Sequence, residues 1–170
     1  LPFQVLEIPA HEIDEVNVSS TKIRHAIELG DIETANLYLN EPFQLSGNVV
    51  TGQQMGRTIG FPTANIAVDD PLKIIPAIGV YAVRITVENG STYDGMMNIG
   101  IRPTVSDEQI VKLEAFLFDF SGDLYNQKIT VHLFKRIRGE HQFQSIEILR
   151  NQLQNDEHTV RHYFSTHPPV

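Results

Sequence analysis

The feature that most constrains the fold of this 170-residue chain is a pair of strand-like segments joined by Asn89-Gly90. In residues 79–88 the apolar side chains alternate, so one face of a strand carries Tyr81, Val83, Ile85 and Val87. Asn-Gly between two such segments is the strongest short-range hairpin signal, because both residues accept positive φ. Residues 92–99 supply the returning strand. The sequence therefore predicts antiparallel β structure.

Four further segments have strand-like composition and are separated by turn residues: 45–51, 63–68, 111–120 and 128–138. Several short strands at this spacing favour a closed or nearly closed antiparallel barrel. After Arg138 the apolar period becomes helical, with Ser145 near the cap and one face formed by Ile146, Leu149 and Leu153. We predict a mainly β fold, a small barrel followed by a C-terminal helix.

The residues before Phe43 have a helical pattern instead. Ser19 or Ser20 can cap a helix that stops at Gly30, and Asp31 can cap a second helix that Pro42 ends.

This helical pair has too little apolar surface to form a domain alone. We therefore expect residues 1–42 to be an appendage to a main unit of residues 43–170. The pair is preceded by a short apolar stretch, Val5–Ile8, and the chain begins with Leu1 rather than Met, which suggests a fragment or a processed product.

Composition narrows the function. The formal net charge is -8, which argues against non-specific binding to nucleic acid or to anionic lipid. No apolar run approaches the roughly 20 residues that span a bilayer. Cysteine is absent, which excludes disulfides and thiolate metal sites and favours a cytoplasmic setting. A phosphate-bearing ligand would have to be held locally, by backbone amides, a metal ion or a few arginines.

The segment from Gly52 to Asn65 is the richest in candidate binding residues. Gly52, Gly56 and Gly60 are regularly spaced in a loop between two predicted strands. Glycine lets backbone amides approach a ligand closely, which is one way to hold phosphates without lysines. The pattern matches neither a Walker A loop nor the Rossmann glycines, and the glycines alone are equally compatible with a flexible hairpin connection.

Two polar residues at the start of the following strand sharpen this interpretation. Thr63 and Asn65 are two residues apart, so their side chains are expected on the same face. A hydroxyl and an amide oxygen are hard ligands suited to Mg²⁺, which shares its coordination with nucleotide phosphates. The alternative is an ordinary strand that begins after Pro62.

Glu114 is the candidate for acid–base chemistry. It is the only acid in the apolar run 113–118. Apolar surroundings disfavour the charged form of a carboxylate, so it takes up a proton more readily, as a general base must. The alternative is a structural glutamate that reaches solvent or pairs with Lys112.

Together, these features resemble the riboflavin kinase family, in particular the C-terminal kinase module of bacterial bifunctional riboflavin kinase/FMN adenylyltransferases. The matching segments follow the family's order and cover essentially all of residues 43–164. They are Gly52 to Asn65, Gly79-Val80-Tyr81, Asn98 to Thr104, Leu113-Glu114, Phe118 to Tyr125, and Ile137-Arg138 leading to Phe143.

The resemblance implies a Greek-key barrel in which ATP and riboflavin meet at one end. It assigns Mg²⁺ and the nucleotide phosphates to Thr63 and Asn65, and it makes Glu114 the base for the riboflavin 5′-hydroxyl. The implied ATP-binding residues are Gly52, Gly56, Arg57, Gly60, Phe61, Thr63 and Asn65. The implied flavin-binding residues are Asn98, Gly100, Arg102, Thr104, Glu114 and Arg138.

The appendage also has a counterpart in these bifunctional enzymes. Residues 18–24 resemble a Ser-Ser-Thr-x-x-Arg segment near the end of the adenylyltransferase module, where Ser19, Ser20 and Arg24 would contact ATP phosphates. The resemblance implies that residues 1–42 are the C-terminal remnant of that module. We expect this chain to make FMN but no FAD, and the parent protein also to adenylylate FMN.

Three positions depart from the family pattern. Phe116 stands where a histidine is common, Asn126 where a glycine is common, and Gly139 where a polar residue is common. The alternatives to a kinase are a flavin- or nucleotide-binding module without catalysis, and a small nucleic-acid-binding barrel. A pure binding module needs no base at Glu114, and the acidic charge disfavours nucleic acid.

Overall fold

The computed structural model of the protein describes residues 12–13, 16–52, 55–103 and 109–168. The apolar stretch Val5–Ile8 therefore lies outside the described residues. A short hairpin of β1 (Glu12–Ile13) and β2 (Val16–Asn17) precedes two helices, α1 (Ser20–Leu29) and α2 (Ile32–Leu39). The predicted caps are confirmed: Ser19 and Asp31 accept hydrogen bonds from the first turns, and Gly30 ends α1 with φ of 77°.

Six antiparallel strands then form a closed barrel: β3 (Phe43–Val50), β4 (Ala64–Val68), β5 (Gly79–Thr86), β6 (Thr92–Pro103), β7 (Gln109–Leu117) and β8 (Lys128–Arg138). Around the barrel the order is β3-β4-β7-β6-β5-β8. Strands β5, β6 and β7 are consecutive neighbours and β8 returns beside β5, which is the Greek-key arrangement. The predicted barrel is confirmed, and so is the hairpin, where Gly90 has φ of 86°.

Two elements complete the chain. One is α3 (Met55–Thr58), a single helical turn within the glycine-rich loop. The sequence predicted the loop but not this turn. The other is the predicted C-terminal helix, α4 (Ile146–Thr166), which Ser145 caps. Ile146, at the start of the predicted apolar face, is 63% exposed, whereas Leu149 and Leu153 are partly buried against the barrel.

Alternation along the strands produces two apolar clusters on opposite sides of the barrel wall. The predicted face of Tyr81, Val83, Ile85 and Val87 fills the interior. The second cluster lies on the outer surface and is covered by α4. It contains Val80, Ala82, Met96, Phe118, Val160 and Phe164. The barrel wall therefore has a buried outer face as well as a buried inner one.

Ion pairs and aromatic contacts fasten the C-terminal half of α4. Arg161 donates to both carboxylate oxygens of Asp119 at 2.8 and 3.1 Å, and these bonds hold the pKa of Asp119 below its usual range. The guanidinium of Arg84 lies 5.0 Å from the Phe134 ring centre and 4.5 Å from that of Phe164. These contacts fix the helix along the outer surface.

The helical pair packs directly on the barrel. Its buried residues belong to the interior cluster: Ala26, Ile27, Ile32 and Ala35. Asn36 on α2 links the two parts, since its amide donates to the Leu133 carbonyl at 2.8 Å and its oxygen accepts from the Phe43 amide at 2.7 Å. The predicted boundary at residue 42 therefore lies in a connection across which the apolar core is continuous.

Replacing Asn36 tests this link. Asn36→Ala leaves a buried amide and a buried carbonyl without their partner, so the free energy of unfolding should fall by about 1–3 kcal/mol. Urea denaturation measures it, with Leu37→Ala as the control, since Leu37 on the same helix is 52% exposed. Equal losses in the two variants would contradict the role given to Asn36.

Candidate active site

A single row of residues crosses the outer surface of all six barrel strands. The strand register pairs Val50 with Asn65, Asn65 with Glu114, Glu114 with Asn98, Asn98 with Val80, and Val80 with Arg138. Directly paired residues of antiparallel strands have side chains on the same face. The chain neighbours of this row, such as Tyr81, Met97 and Ala115, fill the barrel interior. We call these six residues the outer row.

The outer row forms part of the wall of a cavity of about 310 Å³, here called the larger cavity. It brings together six residues that the sequence predicted for the site: Gly56, Phe61, Thr63, Asn98, Glu114 and Arg138. The rest of its lining is mainly apolar and comes from the outer cluster and α4: Ile59, Val80, Met96, Phe116, Phe143, Leu149 and Leu153. Glu140 and His141 complete the wall. A large apolar wall with a few polar groups is typical of a site for a flat organic ligand.

A second cavity of about 120 Å³, the smaller cavity, lies on the other side of Thr63. It is lined by two more predicted positions, Gly52 and Asn65, by Thr63 again, and by Asp123 and Tyr125 from the loop after β7. Thr63 lines both cavities. The Asn65–Glu114 pair also joins them, since Asn65 lines the smaller cavity and its strand partner lines the larger.

At Gly52 and Gly56 the glycine-rich loop lies too close to β4 and the residues before it for a larger side chain. A Cβ at Gly52 would lie 1.8 Å from the side-chain nitrogen of Asn65, and a Cβ at Gly56 would lie 2.1 Å from the Phe61 carbonyl oxygen. Gly56 also accepts a hydrogen bond from the Phe61 amide at 2.8 Å. The loop is thus folded back on the start of β4, which favours the binding-loop interpretation over a flexible connection.

The surroundings of Glu114 are more polar than its sequence neighbours suggested. Leu113 and Ala115 point into the barrel, whereas Glu114 is partly exposed on the outer row between Asn65 and Asn98. Apolar contact comes from Phe116 two residues along, whose ring packs edge-on against Phe61 at 5.2 Å. Among the ion pairs of the described residues, none joins Glu114 to Lys112.

Arg138 is the last residue of the outer row. The segment that follows it, from Gly139 to Phe143, forms part of the wall of the larger cavity. The Arg138 guanidinium makes a forked ion pair with Asp156 on α4, and it donates to the Gly139 carbonyl at 3.0 Å. Gly100 lies beneath this segment: a Cβ there would be 2.8 Å from an oxygen of Glu140 and 3.1 Å from the Asn98 amide nitrogen. Gly100 is therefore a packing residue of the site and lines neither cavity.

The other predicted residues lie elsewhere. Gly60 is exposed with φ of 86° and lines neither cavity. Ser19, Ser20 and Arg24 lie at the start of α1, away from both cavities. Thr104 is outside the described residues, and so are the side chains of Arg57 and Arg102.

Sequence reasoning missed the wall that follows β8. Glu140, His141 and Phe143, with Leu149 and Leu153 of α4, line the larger cavity. Their signal was present, because the matched Ile137-Arg138 pair leads directly into this segment. Because these residues are far along the chain from the Gly52–Asn65 loop, the sequence does not show that both line the same cavity.

The residues at the junction of the two cavities suit a divalent metal ion that prefers oxygen ligands. Thr63 and Asn65 offer a hydroxyl and an amide oxygen, and Glu114 across the strand pair offers a carboxylate. In the parts of the chain that the structure describes, no group of three or more His, Cys, Asp or Glu could hold a metal alone. A few hard oxygen ligands fit an ion whose coordination is completed by phosphate and water.

The family of the chain follows from comparison with known proteins. The family model for riboflavin kinase, or flavokinase, matches residues 39–164. The Bacillus subtilis bifunctional riboflavin kinase/FMN adenylyltransferase is 41% identical over 150 residues, covering 87% of this chain and 47% of that protein. Its Escherichia coli K12 counterpart is 42% identical over 157 residues, covering 91% and 49%. The chain belongs to the riboflavin kinase family, and it spans about half the length of the curated relatives it matches.

A solved structure matches the fold as well. A crystal structure described as a macrolide-efflux protein from Streptococcus pneumoniae superposes with a TM-score of 0.84 at 36% identity, covering 91% of this chain and 50% of that chain. The efflux role named in that description belongs to the Streptococcus pneumoniae protein and is not assigned to this chain. No helix in the described part of this chain is long and apolar enough to cross a membrane.

The close approach at Gly56 generates a prediction about ligand binding. Gly56→Ala should displace Phe61 and Thr63, because the clash is with a backbone oxygen that cannot rotate away. We expect a loss of about 1–3 kcal/mol in stability and a smaller rise in melting temperature when ATP and a divalent metal are added.

The matched control is Gly90→Ala in the β5–β6 hairpin. A Cβ there meets nothing within 4 Å, and φ of 86° should cost about 1–2 kcal/mol. This variant should lose similar stability yet keep the full melting shift with ATP. Full retention of that shift in Gly56→Ala would refute the role of the loop.

Proposed function

We propose that this chain catalyses transfer of the ATP γ-phosphate to the 5′-hydroxyl of riboflavin, giving FMN and ADP. The observation that carries the proposal is the meeting of two chemically different cavities at Thr63 and the Asn65–Glu114 pair. Membership of the riboflavin kinase family supplies the substrate class. The geometry supports a reaction between a flat apolar substrate in one cavity and a phosphate donor in the other, at the point where the cavities meet.

The larger cavity suits the flavin. Its aromatic and aliphatic wall, which includes Phe61, Phe116 and Leu153, can cover the isoalloxazine ring. Asn98 and Arg138 supply polar groups on the same wall, suited to the carbonyl and hydroxyl oxygens of riboflavin. The 5′-hydroxyl would then lie toward Glu114.

The smaller cavity suits the nucleotide phosphates. Gly52 and Asn65 are in close contact there, and backbone amides of the glycine-rich loop can approach anionic oxygens. Thr63 and Asn65 would hold the divalent metal, which we propose to be Mg²⁺. When bound, the ion neutralises charge on the transferring phosphoryl group.

Glu114 is the base in this scheme. As the 5′-oxygen of riboflavin forms its bond to the γ-phosphorus, the hydroxyl proton passes to the Glu114 carboxylate and the bond to the ADP oxygen breaks. Asn65 and Asn98 flank Glu114 on the outer row and can orient it. Positioning contributes most in such a reaction, because the transition state is loose and in line.

Residues 1–42 form a separate part of the proposal. We assign them to the C-terminal end of an FMN adenylyltransferase module, on the strength of Ser19, Ser20 and Arg24 and of the bifunctional relatives. In the parent protein the two modules would act in sequence, with FMN as the shared intermediate. The reaction proposed for residues 43–170 is FMN formation, and its proposed setting is the cytoplasm.

The reaction and its base can be tested together. Wild-type chain incubated with riboflavin, ATP and Mg²⁺ should form FMN, detected by chromatography. Glu114→Gln keeps shape and hydrogen bonding but cannot take a proton, so kcat should fall by roughly 10²–10⁴-fold, nearer the lower end, with both KM values kept.

Two outcomes separate the alternatives. A wild-type chain that binds riboflavin but forms no FMN would favour the non-catalytic binding module. Near-normal turnover in Glu114→Gln would reduce Glu114 to an orienting role, provided that Glu88→Gln, an exposed glutamate in the β5–β6 turn, also matches wild type.

The metal assignment makes a different prediction. Thr63→Val keeps the shape of the side chain and removes its oxygen, and Asn65→Ala removes the amide. Each loses a contact to charged groups worth about 1.5–3 kcal/mol, so KM for MgATP should rise roughly 10–100-fold.

Riboflavin affinity, measured by fluorescence quenching, should stay near wild type in both variants. Thr92→Val is the control, an exposed threonine at the start of β6. Unchanged ATP kinetics in both site variants would make this segment an ordinary strand start.

A further inference from the structure

Asp156 on α4 is the one fully buried charged residue among those that the structure describes, with 2% of its surface exposed. Neither the family match nor the sequence motifs assign it a role. Its carboxylate forms an ion pair with Arg138, and Arg138 lines the larger cavity.

The contacts of Asp156 leave little freedom to Arg138. Nε of Arg138 lies 3.0 Å from both carboxylate oxygens, and Nη2 lies 2.7 Å from Oδ2. Gln152, one turn earlier on α4, donates to Oδ1 at 2.8 Å. A forked pair of this kind fixes the plane of the guanidinium as well as its position.

A bulge in β8 turns Arg138 toward this partner. Val80 pairs with Arg138 and the next residue, Tyr81, pairs with Arg136, so Ile137 is an extra residue in the ladder. Ile137 packs in the outer cluster under α4, and Arg138 also lies on the outer surface. Bulges commonly redirect a side chain in this way beside functional sites.

Stability alone does not account for the pair. A buried ion pair gains little over an apolar pair of the same size, because desolvation offsets the attraction. The outer cluster beside it already holds α4 through Val160 and Phe164. What the ion pair adds is a fixed cation at the cavity wall.

The contacts of Arg138 leave some of its N–H donors available to a ligand. A guanidinium has five N–H groups. Asp156 engages Nε and one N–H of Nη2, and the Gly139 carbonyl engages one N–H of Nη1. One N–H on each terminal nitrogen is left for an acceptor, and the cavity that Arg138 lines offers the place for a ligand oxygen.

We propose that Asp156 is a positioning residue for riboflavin: it orients Arg138 toward the flavin and, through the Arg138–Gly139 bond, holds the segment of Glu140 and Phe143 over the larger cavity. The proposal rests on the kinase function proposed above. It concerns the flavin side alone, because Asp156 and Arg138 line no part of the smaller cavity.

Steady-state kinetics of Asp156→Asn tests the proposal. The variant loses the charge that fixes the guanidinium, so KM for riboflavin should rise at least 10-fold, while kcat and KM for ATP stay within about twofold. Riboflavin dissociation constants from fluorescence quenching should rise in parallel.

The matched control is Asp119→Asn. This substitution removes the charge of the Asp119 carboxylate, which forms the other ion pair between α4 and the barrel region among the described residues, with Arg161. Asp119 is exposed and lines neither cavity. Asn also tolerates the φ of 57° at this position. KM for riboflavin should remain at the wild-type value in this variant.

A second variant covers the case in which Asp156→Asn does not fold. Gln152→Met removes one hydrogen bond to Asp156 and keeps the ion pair, so KM for riboflavin should rise about 2- to 5-fold with ATP kinetics unchanged. An unchanged riboflavin KM in Gln152→Met, or equal rises for both substrates in either variant, would overturn the proposal. A wild-type chain without FMN formation would instead contradict the proposed function.

Discussion

The structure depends on closure of the six-stranded barrel. Closure pairs every strand on both sides, and alternation then divides each strand between a filled interior and an outer surface. The interior is packed with apolar residues such as Leu45, Met97 and Leu133, which offer no polar group to a ligand. Functional groups must therefore lie on the outside, and the site is the stretch of outer wall that the loops and α4 enclose.

Strand register converts distant residues into neighbours. Asn65, Glu114 and Asn98 are separated by many residues in the chain, yet they are directly paired across β4, β7 and β6. The sequence predicted each of them singly, from local chemistry or from the family pattern. Their order along the outer row could not be predicted, because it depends on the pairing of β4 with β7 across the barrel.

Local signals predicted the elements well. Asn89-Gly90 gave the hairpin, Ser19, Asp31 and Ser145 gave the helix caps, and period-2 alternation gave the interior face of β5. The helical turn α3 was missed because a four-residue turn has too short a pattern to stand out among glycines.

The structure explains how the fold accommodates two of the departures from the family pattern, Asn126 and Phe116. Asn126 has φ of 60°, a conformation that asparagine accepts where glycine is common, and its amide bonds to the Val49 carbonyl at 3.0 Å beside the smaller cavity. Phe116 replaces a polar ring with an edge-on contact to Phe61. Neither change removes a side-chain oxygen of Thr63, Asn65 or Glu114. Phe116 therefore changes the wall of the larger cavity and Asn126 lies next to the wall of the smaller one, and both leave intact the side-chain oxygens where the cavities meet.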